Sequence, residues 1–554
     1  MLQHTRPGFF CLTNRVLKFA VLAAGFAGAG SAGTGAVFAA EPVEAPRPVQ
    51  RQVEHSLTSG QLDSLVLQEL DEIDDFQLAG DEEFLRRASF DLIGRPPTVE
   101  ELTEFLSAPT VDRREHAINR LLLDPAWGTT QAIYWSDTIS FRVPPPELTF
   151  LDYRPLKKWL ATELNEGTPW DRIVADLLTG TGEVATHPDA TFVAYHQGNP
   201  TKLAAETARI FLGVQIQCAE CHDHPFDHWK REQFHQLAAF FVRSKVKMPW
   251  NEGPKTVVSD AGKGEYRMPD AMDPRKKGAE MPPAFLAGNP VGTGRSDLER
   301  RRELATLLTA PENPWFAKST VNRLWAQLMG RGFYDPVDDL SAAQVQHLPA
   351  VHEALTAEFI RSGFDVRHIV RLIVGTRAYQ QSLATSGEQE RPLFAAARTG
   401  RLPGDAVYDA LLTALELPDV RPPTPKPTAA IRFPVPPKST RETFAAIFGY
   451  DPSLSPAHRM RNMDQAMLLM NGKQLQQQID SRPDSGTILA GLLQEESDNA
   501  KAIHQLFLIV LARAPTLAEA RLCLAHVEQA ESRGAGFEDL LWSLINSAEF
   551  TTRR

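Results

Sequence analysis

Cysteine is scarce in this chain, with 4 residues among 554, and this scarcity excludes a small fold held together by disulfides. The sequence also lacks a glycine-rich phosphate loop, a Gly-x-Ser-x-Gly elbow and a His-Glu-x-x-His pair. Common nucleotide-binding and hydrolase chemistries therefore have no support. Basic residues are outnumbered by acidic ones, 58 to 69, and the formal net charge is −11. This charge argues against nucleic acid and against anionic membrane surfaces as partners.

A long uncharged apolar run occurs only at the start of the chain. Within residues 1–39, basic residues precede the run FAVLAAGFAGAGSAGTGAVFAA, and Val37 and Ala39 occupy the −3 and −1 positions of a cleavage site. We therefore predict a signal peptide and an exported protein, located in the periplasm, in the cell envelope or outside the cell. An uncleaved anchor is the alternative, because the run is nearly long enough to span a bilayer. Beyond this leader we expect no membrane association.

Helical patterns dominate the rest of the chain, which is too long for one ordinary hydrophobic core. They predict a mainly α fold of two helical domains joined by an irregular connector with a few short strands. Thr98 followed by Glu101 predicts a capping box at the start of one helix. The predicted segments are a Pro-rich linker at 40–56, a first domain at 57–245, the connector at 246–295, and a second domain at 296–550 with a Pro-rich break at 417–440.

The segment QIQCAECHDHPFDHWKREQFH, residues 215–235, holds two of the four cysteines and four of the 15 histidines. Cys218, Cys221 and His222 form Cys-x-x-Cys-His, the attachment pattern of haem c. Two thiols form thioethers with the haem, and the imidazole beside the second thiol ligates the iron. The motif therefore predicts a bound haem c, with His222 on the iron, and electron transfer with an unidentified redox partner.

The same segment also supports a metal ion without haem. If its second half is helical, His228, Glu232 and His235 lie on one face at positions i, i+4 and i+7. Two imidazoles and a carboxylate with open coordination positions hold iron or zinc and activate a water for hydrolysis. The full set of alternative ligands is His222, Asp223, His224, Asp227, His228, Glu232 and His235.

A third interpretation needs no cofactor. An exported protein meets an oxidising compartment, which permits a disulfide between Cys218 and Cys221. The protein is then a structural or binding component of the cell envelope, with an envelope partner. The sequence leaves open whether any reaction is catalysed.

Two further patterns predict structural roles. Four methionines at helical spacing predict core packing, since such stripes usually face the interior. The acidic stretch DPVDDL, residues 335–340, predicts capping of a turn and a helix start. The methionines are Met460, Met463, Met467 and Met470.

Long stretches of the chain resemble a known pair of domains. The first domain resembles the planctomycete cytochrome-c-like domain of the second type. The resemblance lies in the stretches FLRRASFDLIGRPPTVEELTEFL and TARIFLGVQIQCAECHDHPFDHWKREQFHQLAAFF. The second domain resembles the planctomycete secreted domain. The resemblance lies in the stretches NPWFAKSTVNRLWAQLMGRGFYDPVDDL and DLLWSLINSAEF. Together they extend from about Leu57 to Phe550. The resemblance implies an exported protein of a planctomycete-like bacterium, with Cys218, Cys221 and His222 at the matching motif positions.

This chain departs from many members of that family in two respects. It has no separate cytochrome-c module before the first domain. It also lacks the Cys-x-Cys stretch that many relatives carry before a QALxLMNG-like segment; the corresponding YDPSLSPAHRMRNMDQAMLLMNG has no cysteine. If those cysteines complete a centre with the Cys-x-x-Cys pair in relatives, part of that centre is missing here.

Overall fold

Helices make up most of the regular structure in the computed structural model of this protein, and the prediction of a mainly α fold is confirmed. The structure describes residues 56–553 except 72, 74, 144–153, 249–254, 274, 287, 293, 384–391 and 425–436. The predicted signal peptide and nearly all of the predicted linker lie outside the described residues.

Several of the helices before the cysteine motif begin at side-chain caps. At the start of one of them Thr98 and Glu101 form the predicted capping box: the Glu101 N–H donates to Thr98 Oγ1 at 3.2 Å, and the Thr98 N–H to Glu101 Oε2 at 2.9 Å. These helices are α1 Ser59–Leu70, α2 Asp81–Ile93, α3 Val99–Ser107, α4 Arg113–Leu123, α5 Pro125–Ser140, α6 Arg154–Glu166, α7 Trp170–Thr179, α8 Thr191–Tyr195 and α9 Pro200–Thr207.

The helices after the motif follow the same rule. Ser296 caps one of them, since its hydroxyl accepts from the Glu299 N–H at 3.3 Å. They are α10 Arg231–Ala238, α11 Asp297–Leu308, α12 Phe316–Met329, α13 Pro349–Arg361, α14 Val366–Val374, α15 Gly404–Leu415, α16 Thr440–Ile447, α17 Met463–Asn471, α18 Lys473–Gln478, α19 Ile488–Glu495, α20 Asn499–Leu511, α21 Leu517–Gln529 and α22 Arg533–Ile545.

The strands of the described residues are two to four residues long and pair antiparallel in three small sheets. One sheet has the order β1-β3-β2, and the others pair β4 with β5 and β6 with β7. Most of these strands lie in or beside the predicted connector, as expected. The strands are β1 Gly182–Glu183, β2 Ser244–Lys247, β3 Val257–Asp260, β4 Arg267–Pro269, β5 Lys277–Glu280, β6 Gly400–Arg401 and β7 Thr552–Arg553.

Two hydrophobic cores hold these elements together. The larger core runs from Leu62 to Ala395 and includes residues on both sides of the predicted connector. The smaller one runs from Leu402 to Phe550 and also contains Phe90. Cys523 is buried in the smaller core, as expected of a small apolar side chain. The domain boundaries given above stay predictions. Within the described residues, none of the helices has the length and apolar character needed to cross a membrane.

The methionine stripe does not pack in a core, and that prediction is wrong. The exposed fractions are 83% for Met460, 79% for Met463, 52% for Met467 and 41% for Met470. Helix α17 instead buries Leu469 against the smaller core. Helical spacing shows that side chains share a face, but the neighbouring elements decide which face is covered.

Exposure of these methionines predicts their order of oxidation. With dilute hydrogen peroxide, Met460 and Met463 are expected to become sulfoxides well before Met281, which is 9% exposed, because oxidation requires access to the sulfur. Peptide mass spectrometry over a time course measures each rate. The thermal midpoint should stay nearly constant while only the exposed methionines react. Equal rates for Met281 and Met460 would contradict the exposed position of the stripe.

Candidate functional site

The chain reaches the cysteine motif through the end of a helix. Helix α9 continues into a π-helical turn, Ala208–Leu212, and ends at Gly213 with a φ of +63°. A side chain at Gly213 would place its Cβ 2.5 Å from Leu340 Cδ1, so glycine satisfies both the backbone angle and the space. The Leu340 N–H donates to the Gly213 carbonyl at 2.8 Å. The helix therefore ends shortly before Cys218.

Cys218 and Cys221 lie at one tight turn. Cys218 belongs to the 3-10 turn Gln217–Glu220, and Cys221 follows it directly. Both cysteines are exposed and unpaired. Ala219 between them is fully buried and donates its N–H to the Ile216 carbonyl at 2.9 Å. The turn is therefore fixed through Ala219, while both thiols reach solvent.

His222 has a defined tautomer. Its Nδ1 lies 2.7 Å from the Asp223 carbonyl oxygen. Because a carbonyl oxygen only accepts, this contact requires the proton on Nδ1. The Nε2 atom then carries the lone pair, and the side chain is exposed. His222 is therefore prepared to ligate a metal through Nε2, with its other ring nitrogen held by a hydrogen bond.

The Asp223 carboxylate is committed to the start of helix α10. Its Oδ1 accepts from the Arg231 N–H at 3.0 Å, and its Oδ2 lies 3.0 Å from Lys230 Nζ. These hydrogen bonds, first that of the Arg231 N–H, hold the pKa of Asp223 below its usual value. Asp223 therefore closes the loop that follows the motif.

The middle of the segment is held by local contacts. The His224 N–H donates to the carbonyl of the buried Trp229 at 2.8 Å, and His224 Nδ1 accepts from the Phe226 N–H at 3.3 Å. Asp227 Oδ1 accepts from His228 Nδ1 at 2.6 Å. These predicted ligands bond to the loop and to one another.

The structure does not bring His228, Glu232 and His235 together on one helical face. Helix α10 begins at Arg231, so His228 precedes it. Glu232 is exposed, whereas His235 is fully buried. Across the described ranges, no three His, Cys, Asp or Glu side chains are grouped so that they could hold a metal ion.

His235 positions the motif from inside the protein. Its Nε2 donates to the Glu220 carbonyl at 3.0 Å, and its Nδ1 accepts from the Tyr266 hydroxyl at 2.9 Å. Burial lowers the pKa of His235 to about 4 and raises the pKa of Tyr266 to about 12. The neutral imidazole therefore ties the cysteine turn to the residue that precedes strand β4.

This burial predicts a pH dependence of stability. The unfolded chain protonates His235 near pH 6.5 but the folded protein only near 4, so acid favours unfolding across that interval. We expect the free energy of unfolding to fall as pH falls from 6.5 to 4. In His235→Gln this fall should be smaller by about 1–3 kcal/mol, because glutamine does not titrate. Urea unfolding at several pH values measures this fall in the free energy of unfolding. His116→Gln, at an exposed position, is the control. Equal slopes for wild type and His235→Gln would contradict the burial of a neutral His235.

A buried charged network before the motif was missed by sequence reasoning. Arg209 pairs with Glu206 at 2.6 Å and with Asp338 at 3.1 Å, and Gln215 Nε2 donates to Asp338 Oδ1 at 3.1 Å. Asp338 has no exposed surface and pairs with Arg209, so the prediction of capping for the stretch 335–340 does not hold for this residue. The available signal was Arg209 itself, a charge within the apolar run ARIFLGV.

Two family models match the sequence in the order that the resemblance predicted. PSCyt2, described as a protein of unknown function (DUF1549), matches residues 61–246. PSD1, described as a protein of unknown function (DUF1553), matches residues 300–527. The chain thus belongs to the family with this two-domain arrangement, and its first domain is of the planctomycete cytochrome-c-like type. No curated protein and no solved structure matches it.

Proposed function

We propose that this protein is an exported electron-transfer protein that holds haem c covalently through Cys218 and Cys221, with His222 as the iron ligand. The observation that carries the proposal is the free Nε2 of His222 directly after two exposed, unpaired thiols. When bound, haem c supplies reversible one-electron transfer at its iron. The donor set fits this group, because it offers two thiols and an imidazole of the correct tautomer within one turn.

The chain's own residues prepare this site. The Asp223 carbonyl holds the proton on Nδ1 of His222, and His235 holds the Glu220 carbonyl beneath the turn. The exposed position of the cysteine motif favours the exchange of electrons with a partner. Cavities of about 620, 490 and 370 Å³ occur elsewhere, and none is lined by Cys218, Cys221 or His222.

The test is a visible spectrum of the mature protein made in a host that matures c-type cytochromes. We expect a pyridine haemochrome band that survives denaturation, because thioether bonds are covalent. A control cytochrome expressed in the same host establishes that maturation works. A colourless, stain-negative protein beside a coloured control would overturn the proposal.

A second candidate is an envelope structural or binding protein with a Cys218–Cys221 disulfide. It is favoured by the number of protein contacts that hold the turn without a cofactor: His235 to Glu220, and Asp223 to Arg231. If this disulfide is present, thiol labelling under denaturing, non-reducing conditions is expected to modify Cys523 alone. Labelling of all three mature cysteines in a haem-free sample would exclude it.

A bare divalent ion is the remaining alternative. It would draw on His222 and His228, whose Nδ1 atoms are engaged and whose Nε2 atoms carry the lone pairs. Elemental analysis of the colourless, stain-negative protein tests for such an ion. One equivalent of iron or zinc, lost in His222→Ala, would favour this function over the disulfide.

A further inference from the structure

Three arginines far along the chain from the cysteine motif have no acidic partner. Among the described residues, no carboxylate forms an ion pair with Arg401, Arg459 or Arg461, which we call the arginine cluster. Nearby arginines differ: Arg553 lies 3.1 Å from Asp91, and Arg441 pairs with two aspartates. The described residues therefore give this cluster no direct ion pair, and the Asp137 carboxylate acts on Arg459 only through its charge.

Two N–H groups of the cluster are buried and make no hydrogen bond. They are Nη1 of Arg401 and Nε of Arg459. Leaving a buried charged donor without an acceptor destabilises the folded protein. Burial, and for Arg401 also the nearby charge of Arg461, lowers the pKa of both guanidinium groups. Each such donor in a native protein needs an explanation, and a bound water or ion is one of them.

The cluster stands between two cavities. Cavities of about 370 and 620 Å³ share Arg401, Leu402, Tyr450 and Arg459 in their walls. Arg459 lies over the Tyr450 ring at 3.6 Å, and its Nη1 donates to the Arg401 carbonyl at 3.1 Å. The ring and the carbonyl hold the guanidinium in place. The two cavities therefore share a cationic wall, and we call them together the cleft.

Charge in the cleft opposes that of the whole protein. Eight arginines and lysines line the larger cavity against three aspartates, and two of these cations, Arg95 and Lys157, also pair with Glu101 and Asp137 outside that wall. The chain as a whole has a formal charge of −11. Apolar side chains complete the wall, among them Phe90, Ile133 and Leu402. A cavity of this volume, with apolar walls and a few polar groups, is typical of small-molecule sites.

We propose that this cleft binds a small organic anion: a carboxylate, sulfate or phosphate group on Arg401 and Arg459, with an apolar body against Leu402 and Tyr450. The oxyanion would pair with these two guanidinium groups, and fixed charges in a walled cleft attract it strongly. The site shares no residue with the cysteine motif. It therefore goes beyond the proposed electron transfer, and the two proposals can fail separately.

The test is titration calorimetry of the full mature protein with 2-naphthalenesulfonate, 2-naphthoate, 2-naphthyl phosphate and the neutral 2-naphthalenemethanol. We expect saturable binding of at least one anion and at least tenfold weaker binding of the alcohol. The order of the three anions identifies the head group. Arg401→Gln and Arg459→Gln should each weaken binding by about ten- to hundredfold, because each removes a charged donor.

Controls separate recognition from damage to the fold. Arg521→Gln removes an exposed arginine on α21 and should bind like wild type. Arg459→Lys keeps the charge and should retain part of the affinity. Arg401→Gln removes an unpaired buried donor, so its thermal midpoint should not fall, and it remains informative if Arg459→Gln fails to fold. Absence of binding by all three anions, equal binding of the alcohol, or unchanged affinity in Arg401→Gln would overturn the proposal.

Discussion

Replacing Cys218 and Cys221 together by Ala is expected to abolish covalently bound haem in protein made with cytochrome c maturation. Both thiols are exposed and unpaired at one turn, so each is available for a thioether bond, and no described cavity near them would retain a free porphyrin. The expected change is from about one haem per chain to none. A haem stain after denaturing electrophoresis, together with the pyridine haemochrome spectrum, measures it.

The control variants distinguish attachment from ligation. Cys523→Ala changes a cysteine buried in the smaller core and should keep the full haem content. His222→Ala should keep some covalent haem but shift the Soret band, because the iron loses its Nε2 ligand. Haem that persists in the double Ala variant, or that disappears in Cys523→Ala alone with the fold intact, would contradict attachment at the motif.

Asp338→Ala is expected to lower the free energy of unfolding by about 3–5 kcal/mol, because it leaves buried positive charge without its partner. Arg209 and Arg323 are 1% and 0% exposed, and Asp338 lies 3.1 Å from Arg209. Arg209 retains Glu206, whereas Arg323 donates to the backbone carbonyls of Pro452 and Arg209. Urea unfolding monitored by circular dichroism measures the loss. Asp484→Ala, at an exposed position, should change stability by less than about 0.5 kcal/mol.

The same variant has a defined pH dependence. Burial alone would raise the pKa of Asp338, but the charges of Arg323 and Arg209 outweigh burial and hold the pKa below its usual 3.8. A lowered folded pKa stabilises the protein above the ordinary pKa, and this stabilisation is lost as pH falls through the folded pKa. The loss of unfolding free energy in Asp338→Ala should therefore be largest at neutral pH and become smaller below about pH 4. A deficit that is constant over this range would show that lost packing, and not charge, is responsible.

Local sequence signals predicted local structure well. The capping box of Thr98 and Glu101 forms as expected. The two residues lie within four positions of one another, so their hydrogen bonds depend only on the first turn of the helix. The mainly helical fold follows from periodic apolar positions in the same way.

Predictions failed where distant segments decide the environment. The spacing of Met460 and Met463 defines a helical face but not whether another element covers it. Asp338 resembled a cap residue because its partner Arg209 is 129 positions away in the sequence. The stretch around His228 and His235 is rich in ligand atoms, yet His235 is withdrawn into the interior by Tyr266, another distant residue.

The sequence by itself determined the family, the helical class, the local caps and the spacing of Cys218, Cys221 and His222, because these depend on residues within a few turns of chain. Tertiary structure alone decided which of the seven candidate ligands stay accessible, and which charges are buried. It also placed Arg401 from strand β6 beside Arg459 from the loop before α17, in one cleft. Burial and charge pairing depend on contacts between segments far apart in the chain, and no local pattern specifies them.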